Sequence, residues 1–241
     1  MPPWTAPELF VRVLRSVRRQ PLALFAALAL LPGVWGIPAE LAYARWVPGE
    51  EGAIGEGRSS LAFTLSFAAI VWNSIWGAGG IRIGIDTARG RAVRFRHLLE
   101  GVAYTPWLVC TALPLLPLEL FVFLPTDDDP AFASIAFGSV TVLTLVLLLR
   151  TALWAPYLLD SGTSLGAALT ASWRATREQG SQMLLLALLL TLPIVPVAAI
   201  EIALSGRAYV AIGLTSLLYT LAVGHLYTLA HDRTERSLQS A

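Results

Sequence analysis

Residues Leu153 to Leu192 read LWAPYLLDSGTSLGAALTASWRATREQGSQMLLLALLLTL, and this part of the chain indicates how the rest folds. An apolar run ends at Asp160, a turn follows, and a short amphipathic helix is predicted over residues 164–178. Gly180 breaks that helix, and a second apolar run begins at once. The pattern predicts a membrane helix that reaches the surface, a helix that lies along the surface, and a second membrane helix that returns.

The composition favours a membrane protein over a soluble one. Of 241 residues, 56% are apolar and only 14% are charged, whereas a soluble domain carries about 25% charged residues. Apolar segments of about 20 residues, the length that crosses a bilayer, explain this difference. They cover about 21–43, 60–85, 102–124, 131–159, 181–204 and 208–230. We therefore predict an all-α bundle of six transmembrane helices, as a single membrane domain over 1–241.

An amphipathic helix is predicted before the first span, over residues 5–20. Its start, Thr5-Ala6-Pro7-Glu8, has the pattern of a capping box. One face carries the apolar residues Leu9, Phe10, Val13, Leu14 and Val17. The remaining positions carry Arg12, Arg15, Arg18 and Arg19. Such a helix lies in the plane of the lipid headgroups. A cleaved signal peptide is the alternative, since Ala42-Tyr43-Ala44 resembles a cleavage site, but the apolar region exceeds the usual 7–15 residues or so.

The placement of the arginines predicts the orientation in the membrane. All 17 basic residues are arginines, which is typical of a GC-rich bacterial genome. Only Arg45, Arg58 and Arg207 fall on one side of the predicted spans, and Arg150 lies within a span. The other side carries Arg12, Arg15, Arg18, Arg19, Arg82, Arg89, Arg91, Arg94, Arg96, Arg174, Arg177, Arg233 and Arg236. The positive-inside rule places both termini in the cytoplasm of a bacterial inner membrane. The net charge of +1 gives no overall field that would attract nucleic acid.

Prolines and acidic residues recur at similar intervals along the chain. Pro38, Pro117 and Pro196 are 79 residues apart, and each lies late in an odd-numbered predicted span. Each precedes a glutamate, and the even-numbered spans end in aspartates: Glu40, Glu119, Glu201, and Asp86, Asp160, Asp232. The recurrence predicts a three-fold internal repeat of helical hairpins. The alternative is that proline and glutamate recur at helix ends by chance.

Polar residues within or beside the spans are the candidate transport or binding residues. Arg150 is the deepest charge, and charges at that depth face the bundle interior and have a partner. Arg82 lies closer to the cytoplasmic surface, and Asp86 or Asp160 could form an ion pair with either arginine. The alternative is contact with an anion or lipid headgroup. Glu40, Glu119 and Glu201 are either separate interfacial carboxylates or, together, a site for a cation or proton.

A stripe of small residues follows one face of the second predicted span. It consists of Asn73, Gly77, Gly80 and Gly84. Small residues allow helices to approach closely, so the stripe predicts a packing face. The alternative makes Asn73 a contact of a pore or ligand.

Motifs for catalysis, metals and cofactors are missing from the sequence. It contains neither G-x-S-x-G nor H-E-x-x-H, and His97, His225 and His231 lack metal-ligand spacing. Asp127, Asp128 and Asp129 are better explained as residues at the start of a helix than as a metal cluster. We therefore expect no enzyme, no cofactor and no metal.

The stretch APYLLDSGTSLGAALTASWRATREQG resembles a pattern in six-helix bacterial membrane proteins. These are similar to the membrane domain of glycerophosphoryl diester phosphodiesterase and to its stand-alone relatives. In that family a Pro-Tyr ends one span, an Asp-Gly turn follows, and an alanine-rich helix with a serine and a later glycine leads onward. Those places are filled here by Pro156, Tyr157, Asp160, Gly162, Ala168, Ser172 and Gly180. The resemblance implies the fold only, because the soluble phosphodiesterase domain is missing and its activity does not carry over.

Two functions follow as expectations. The first is a non-catalytic membrane component that organises lipid or a membrane-protein partner, including a second copy of itself. Its anionic-headgroup contacts would be Arg12, Arg15, Arg18, Arg19, Arg89, Arg91, Arg94 and Arg96. The second is a small transporter or channel, in which the odd-numbered spans are helices broken at their prolines, including Pro196. Its path uses Asn73, Arg150, Glu40, Glu119 and Glu201. An intramembrane enzyme is the third and least favoured.

Overall fold

The structure is a computed structural model, and it describes residues 4–30, 76–100, 130–205 and 209–239. Throughout these residues the regular structure is helical, and none of them forms a strand. The helices are α1 (Ala6–Arg19), α2 (Pro21–Phe25, continued by one π-helical turn over Ala26–Leu30), α3 (residues 76–88), α4 (Arg96–Glu100), α5 (Pro130–Thr151), α6 (Trp154–Ser161), α7 (Leu165–Thr176), α8 (Gly180–Thr191), α9 (Val195–Ser205) and α10 (Tyr209–Gln239). The all-α prediction is confirmed for these residues. The span predicted over 102–124, and most of those over 21–43 and 60–85, lie outside them.

Among the described residues, two helical segments are long and apolar enough to cross a membrane. They are Gly138–Ser161 and Gly180–Leu204, with mean hydropathies of 1.8 and 2.6. Only 33% of the first and 22% of the second is buried inside the protein. Large side chains such as Leu188 and Leu192 are therefore exposed. An exposed apolar surface of this extent marks a site of contact with lipid or with another protein.

A proline accompanies a break in each of these segments. α5 ends at Thr151 and α6 begins at Trp154. Pro156 causes this break, because it has no N–H to donate and its ring crowds the carbonyl four residues earlier. The predicted break near Pro196 is also observed, since α8 ends at Thr191 and α9 begins only at Val195. The break in the fourth predicted span was not expected from the sequence.

The first helix begins and ends close to its predicted bounds. The backbone N–H of Thr5 donates to the Glu8 carboxylate at 3.3 Å, as a capping box requires. Its buried face differs from the predicted one, which included Leu14. Ala6, Leu9, Val13 and Ser16 are buried and Leu14 is 45% exposed. The buried face packs on α8 and α10, so the protein itself covers a surface that was expected to lie in the headgroup layer.

Helices α3 and α10 cross at a pair of glycines. A Cβ atom added to Gly84 would lie 2.6 Å from the Thr220 carbonyl oxygen, and one added to Gly224 would meet the backbone of Gly84. Gly80 also faces α10, whereas nothing lies within 4 Å of a Cβ added to Gly77. The packing interpretation of the small-residue stripe therefore holds for Gly80 and Gly84. Asn73, the polar member of the stripe, lies outside the described residues.

Candidate functional site

The segments that were predicted to be cytoplasmic meet at one end of the described bundle. Helix α1 connects them, because its first residue, Ala6, donates its backbone N–H to Gln182 Oε1 at 2.9 Å. Just past its other end, Gln20 Oε1 accepts from the Val93 N–H at 2.9 Å, and Gln20 Nε2 donates to the Arg91 carbonyl at 3.3 Å. The helix thus reaches from the start of α8 to the loop after α3. We call this region, with residues 4–20, 89–97, 160–164 and 174–182, the arginine-rich end.

Asp160, at the end of α6, is the centre of an ionic cluster with two arginines. Its carboxylate accepts from Arg82 Nη1 at 3.0 Å and from both terminal nitrogens of Arg89, at 2.9 and 2.5 Å. The Tyr227 hydroxyl, on α10, donates to it at 2.9 Å. The Asp160 side chain is only 11% exposed, so these donors replace most of its water. One carboxylate thereby connects α3, the loop after it, α6 and α10.

Arg89 takes part in this cluster as a permanent cation. Its hydrogen bond to Asp160 raises the pKa of its guanidinium above the usual value, while burial acts in the opposite direction and is outweighed. The negative charge of Asp160 also raises this pKa. The guanidinium therefore stays charged at physiological pH and serves as an ion-pair partner, without accepting or releasing a proton.

A second aspartate occupies a similar place at the end of α3. Asp86 is 4% exposed, and its carboxylate lies 3.0 Å from Arg91 Nη1 and 2.9 Å from His97 Nδ1. Asp86 and Asp160 were predicted to be equivalent positions of a repeat, and both bind arginines just before a turn. The third position differs, because Asp232 is exposed and α10 continues beyond it to Gln239. The last helix therefore continues past residue 230, where the sixth predicted span ends.

The turn that carries the family resemblance is a helix C-cap in the structure. Gly162 follows α6 with a φ of +61°, and Gly90 follows α3 with a φ of +77°. Glycine adopts this left-handed conformation without the steric penalty of other residues. Tyr157 packs edge-to-face on Tyr227, with ring centroids 5.0 Å apart. Gly180 does not end the surface helix as predicted, because α7 stops at Thr176 and Gly180 is the first residue of α8.

Ser172, on α7, forms hydrogen bonds with backbone groups at the helix break beside Pro156. Its hydroxyl donates to the Arg150 carbonyl at 2.8 Å and accepts from the Leu153 N–H at 3.1 Å. The side chain is fully buried. A proline inside a helical segment leaves backbone groups without their helical partners, and buried groups of this kind need other ones. The Ser172 hydroxyl supplies both a donor and an acceptor to these groups, which explains why the motif has a serine at this place.

Arg150 makes contacts other than the expected ion pair. Its Nη1 donates to the Thr176 carbonyl at 2.6 Å, and its guanidinium lies 5.7 Å from the centre of the Trp173 ring. The free carbonyls at a helix C-terminus attract a cation, so this position at the end of α7 is favourable. The ion pair with Asp160 that was considered for Arg150 is formed instead by Arg82.

Glu201 also contacts a helix end. Its two carboxylate oxygens accept from the backbone N–H groups of Val210 and Ala211, at 2.7 and 3.0 Å. A carboxylate at this place compensates the partial positive charge at the start of α10. Glu40 and Glu119, the other two members of the predicted cation site, lie outside the described residues.

Most of the predicted headgroup arginines point outward. Arg12, Arg15, Arg18 and Arg19 are exposed along α1, and so are Arg94 and Arg96 near α4. Arg91 combines its bond to Asp86 with a side chain that is 61% exposed. Arg89 is an exception, because Asp160 holds both of its terminal nitrogens.

Sequence reasoning missed the role of Tyr227 and that of Ser16, which contacts His225. Both lie in apolar helical patterns that indicate packing and give no sign of a distant polar partner.

Within the described residues, no three His, Cys, Asp or Glu side chains lie close enough together to hold a metal ion. No family model, no curated protein and no solved structure matches the chain. The family resemblance therefore stays a prediction.

Proposed function

We propose that the protein is an integral protein of the bacterial inner membrane, with six transmembrane helices and both termini in the cytoplasm. We further propose that it has no catalytic role. It organises lipid, or a membrane-protein partner such as a second copy of the chain, at the cytoplasmic leaflet. Its arginine-rich end binds anionic headgroups, and the two long apolar segments cross the bilayer.

The observation that carries this proposal is the way in which α1 is attached. One of its faces is fixed to α8 and α10 by Ala6, Leu9, Val13 and Ser16, which are buried. The other face presents exposed arginines. A helix held in this way keeps its cations at one end of the bundle, beside the start of the apolar segment Gly180–Leu204.

The energy available from these cations is sufficient for selective association with anionic lipid. Each arginine near an anionic membrane surface contributes about 1 kcal/mol, and this attraction decays within a Debye length of about 8 Å at physiological salt. Because the helix is already packed on the protein, little conformational entropy is lost when lipid binds. High salt is expected to weaken the association.

A matched pair of charge-neutralising variants tests the proposal. The first carries Arg12→Gln, Arg15→Gln and Arg19→Gln, and the control carries Arg45→Gln, Arg58→Gln and Arg207→Gln from the side predicted to face outward. Each full-length protein is extracted in polymer nanodiscs, and the phosphatidylglycerol that accompanies it is measured. We expect the first variant to lose the enrichment and the control to retain it. Equal enrichment in both would rule out the proposed headgroup contacts.

The transporter alternative stays a prediction, and no described contact favours it. Arg150 and Glu201 both bind backbone groups at helix ends, which is a structural role. The lipid-organising function is therefore the one that we propose.

A further inference from the structure

A cleft of about 410 Å³ opens at the arginine-rich end of the described bundle. It lies between Trp4, just before α1, and residues of α6, α7, α8 and α10. Binding clefts for small ligands have volumes of about 300–1,000 Å³, so this one is large enough for a polar headgroup. None of the residues assigned above to anionic-headgroup binding lines it.

Two polar residues that line the cleft have side-chain groups without a partner among the described residues. Arg174, near the end of α7, lines the cleft and is exposed, and its guanidinium has no acidic partner among the described residues. Gln179 also lines the cleft, and its side-chain oxygen is buried and accepts no hydrogen bond from the described residues. Buried oxygens of folded proteins almost always have a donor, so a vacant acceptor beside a free cation favours a ligand.

The remaining lining is apolar or aromatic. Leu153, Met183 and Leu226 are buried, and Trp4 and Tyr157 carry rings with one polar atom each. Met183 lies three residues into the apolar segment that starts at Gly180. The cleft therefore changes from polar to apolar over a short distance, as the boundary between headgroups and acyl chains does. Tryptophan and tyrosine are enriched at that boundary.

We propose that this cleft binds one phospholipid of the cytoplasmic leaflet by its headgroup. Arg174 binds the phosphate through charge-assisted hydrogen bonds. The Gln179 oxygen accepts from a hydroxyl or ammonium group beyond the phosphate, which selects phosphatidylglycerol or phosphatidylethanolamine over phosphatidylcholine. Met183 and Leu226 contact the start of the acyl chains. The inference rests on the proposed membrane placement, and it adds one specific, stoichiometric site to the diffuse attraction of α1.

Native mass spectrometry of the full-length protein in detergent tests this site. Wild type is expected to retain one phosphatidylglycerol per chain, and Arg174→Gln is expected to weaken that binding about tenfold or more, as loss of a charged hydrogen bond does. Arg177→Gln is the matched control, because Arg177 is exposed one helical turn further on and does not line the cleft. Equal binding by the two variants, or no retained lipid in wild type, overturns the proposal.

A second variant and a competitor identify the ligand chemistry. Wild type is expected to prefer phosphatidylglycerol, and Gln179→Leu is expected to bind phosphatidylcholine and phosphatidylglycerol equally. An unchanged preference in the variant contradicts the assigned role of Gln179. Glycerol phosphate is expected to compete at least tenfold more weakly than the lipid, because it lacks acyl chains for Met183 and Leu226. Competition as strong as that of the lipid would identify a free phosphate ester as the ligand and refute the lipid proposal.

The triple α1 variant separates this inference from the proposed function. It is expected to lose the enrichment of phosphatidylglycerol in nanodiscs and to keep the one retained lipid. Loss of that lipid in the α1 variant with retention in Arg174→Gln would place the specific site on α1 and refute the cleft. Unchanged enrichment in the α1 variant, with loss of the retained lipid only in Arg174→Gln, would refute the α1 contacts and support the cleft.

Discussion

The Ser16 hydroxyl and the Nε2 atom of His225 lie 2.9 Å apart, in a buried contact between α1 and α10. Their positions in the chain are 209 residues apart. The hydrogen bond joins two side chains on otherwise apolar surfaces. Neither side chain forms another side-chain hydrogen bond among the described residues. The two helices are also in apolar contact, and this hydrogen bond fixes which residues of α1 lie against which residues of α10.

Replacing Ser16 by alanine is expected to loosen this attachment. The variant leaves the His225 ring nitrogen buried without its partner, at a cost of about 1–3 kcal/mol. The control is Ser181→Ala, because Ser181 is exposed on α8. Thermal unfolding in detergent measures both, and we expect a lower midpoint for Ser16→Ala alone. Equal midpoints would show that the Ser16 contact adds nothing to stability.

Replacing Asp160 by asparagine is expected to weaken the connection among α3, α6 and α10. The change leaves Arg82 and Arg89 without a counter-charge, and we expect a loss of about 2 kcal/mol. This is below the roughly 3–5 kcal/mol of a fully buried pair, since both arginines are partly exposed. Asp232→Asn is the control, because Asp232 is exposed. A free energy of unfolding that falls equally in both would contradict the central place of Asp160.

The crossing of α3 and α10 predicts opposite effects for two glycines on the same helix. Gly84→Ala places a Cβ against the Thr220 carbonyl, so the helices must separate, at about 1–3 kcal/mol. Gly77→Ala meets nothing within 4 Å and is expected to be neutral or slightly stabilising, since alanine favours helix. Thermal unfolding of the two variants compares them directly. The crossing geometry is wrong if Gly84→Ala is tolerated as well as Gly77→Ala.

Replacing Ser172 by alanine is expected to lower stability, because Ser172 binds backbone groups at the break that Pro156 causes. Ser172→Ala leaves the Leu153 N–H and the Arg150 carbonyl without this partner, at about 1–3 kcal/mol. Thr170→Ala, on the exposed side of α7, is the control and is expected to cost little. In a double-mutant cycle, Pro156→Ala should reduce the cost of Ser172→Ala, because the helical backbone bonds can then form. Additive costs in this cycle would contradict the coupling.

The local parts of this fold could be predicted from the sequence. The capping box at Thr5 and Glu8 located α1 to within a residue, and the surface helix predicted over 164–178 is observed as Leu165–Thr176. These features depend on neighbouring residues, so a linear pattern records them. The break at Pro156 was missed because a proline near the end of an apolar run is also compatible with an uninterrupted helix.

The candidate site could be predicted only in part, since its contacts join distant segments. Asp160 was singled out with Arg82 as one of two candidate partners, whereas Arg89, 71 residues away in the chain, was not considered as its partner. Which arginine reaches which carboxylate depends on how the helices pack, and a sequence pattern does not contain that geometry. For the same reason, the sequence gives no indication that Arg174 and Gln179 line one cleft.

The attachment of α1 has a consequence for how the chain is made. Ala6 and Ser16 of this helix are synthesised before the residues that they bind. Gln182, the partner of Ala6, lies 176 residues later in the chain, and His225, the partner of Ser16, lies 209 residues later. At roughly 5–20 residues per second, a ribosome needs on the order of ten to forty seconds to produce them. Until then α1 lacks the two side chains that fix it in place, so its docking follows the synthesis of α8 and α10. A helix made before its partners is therefore among the later elements of the described fold to reach its final position.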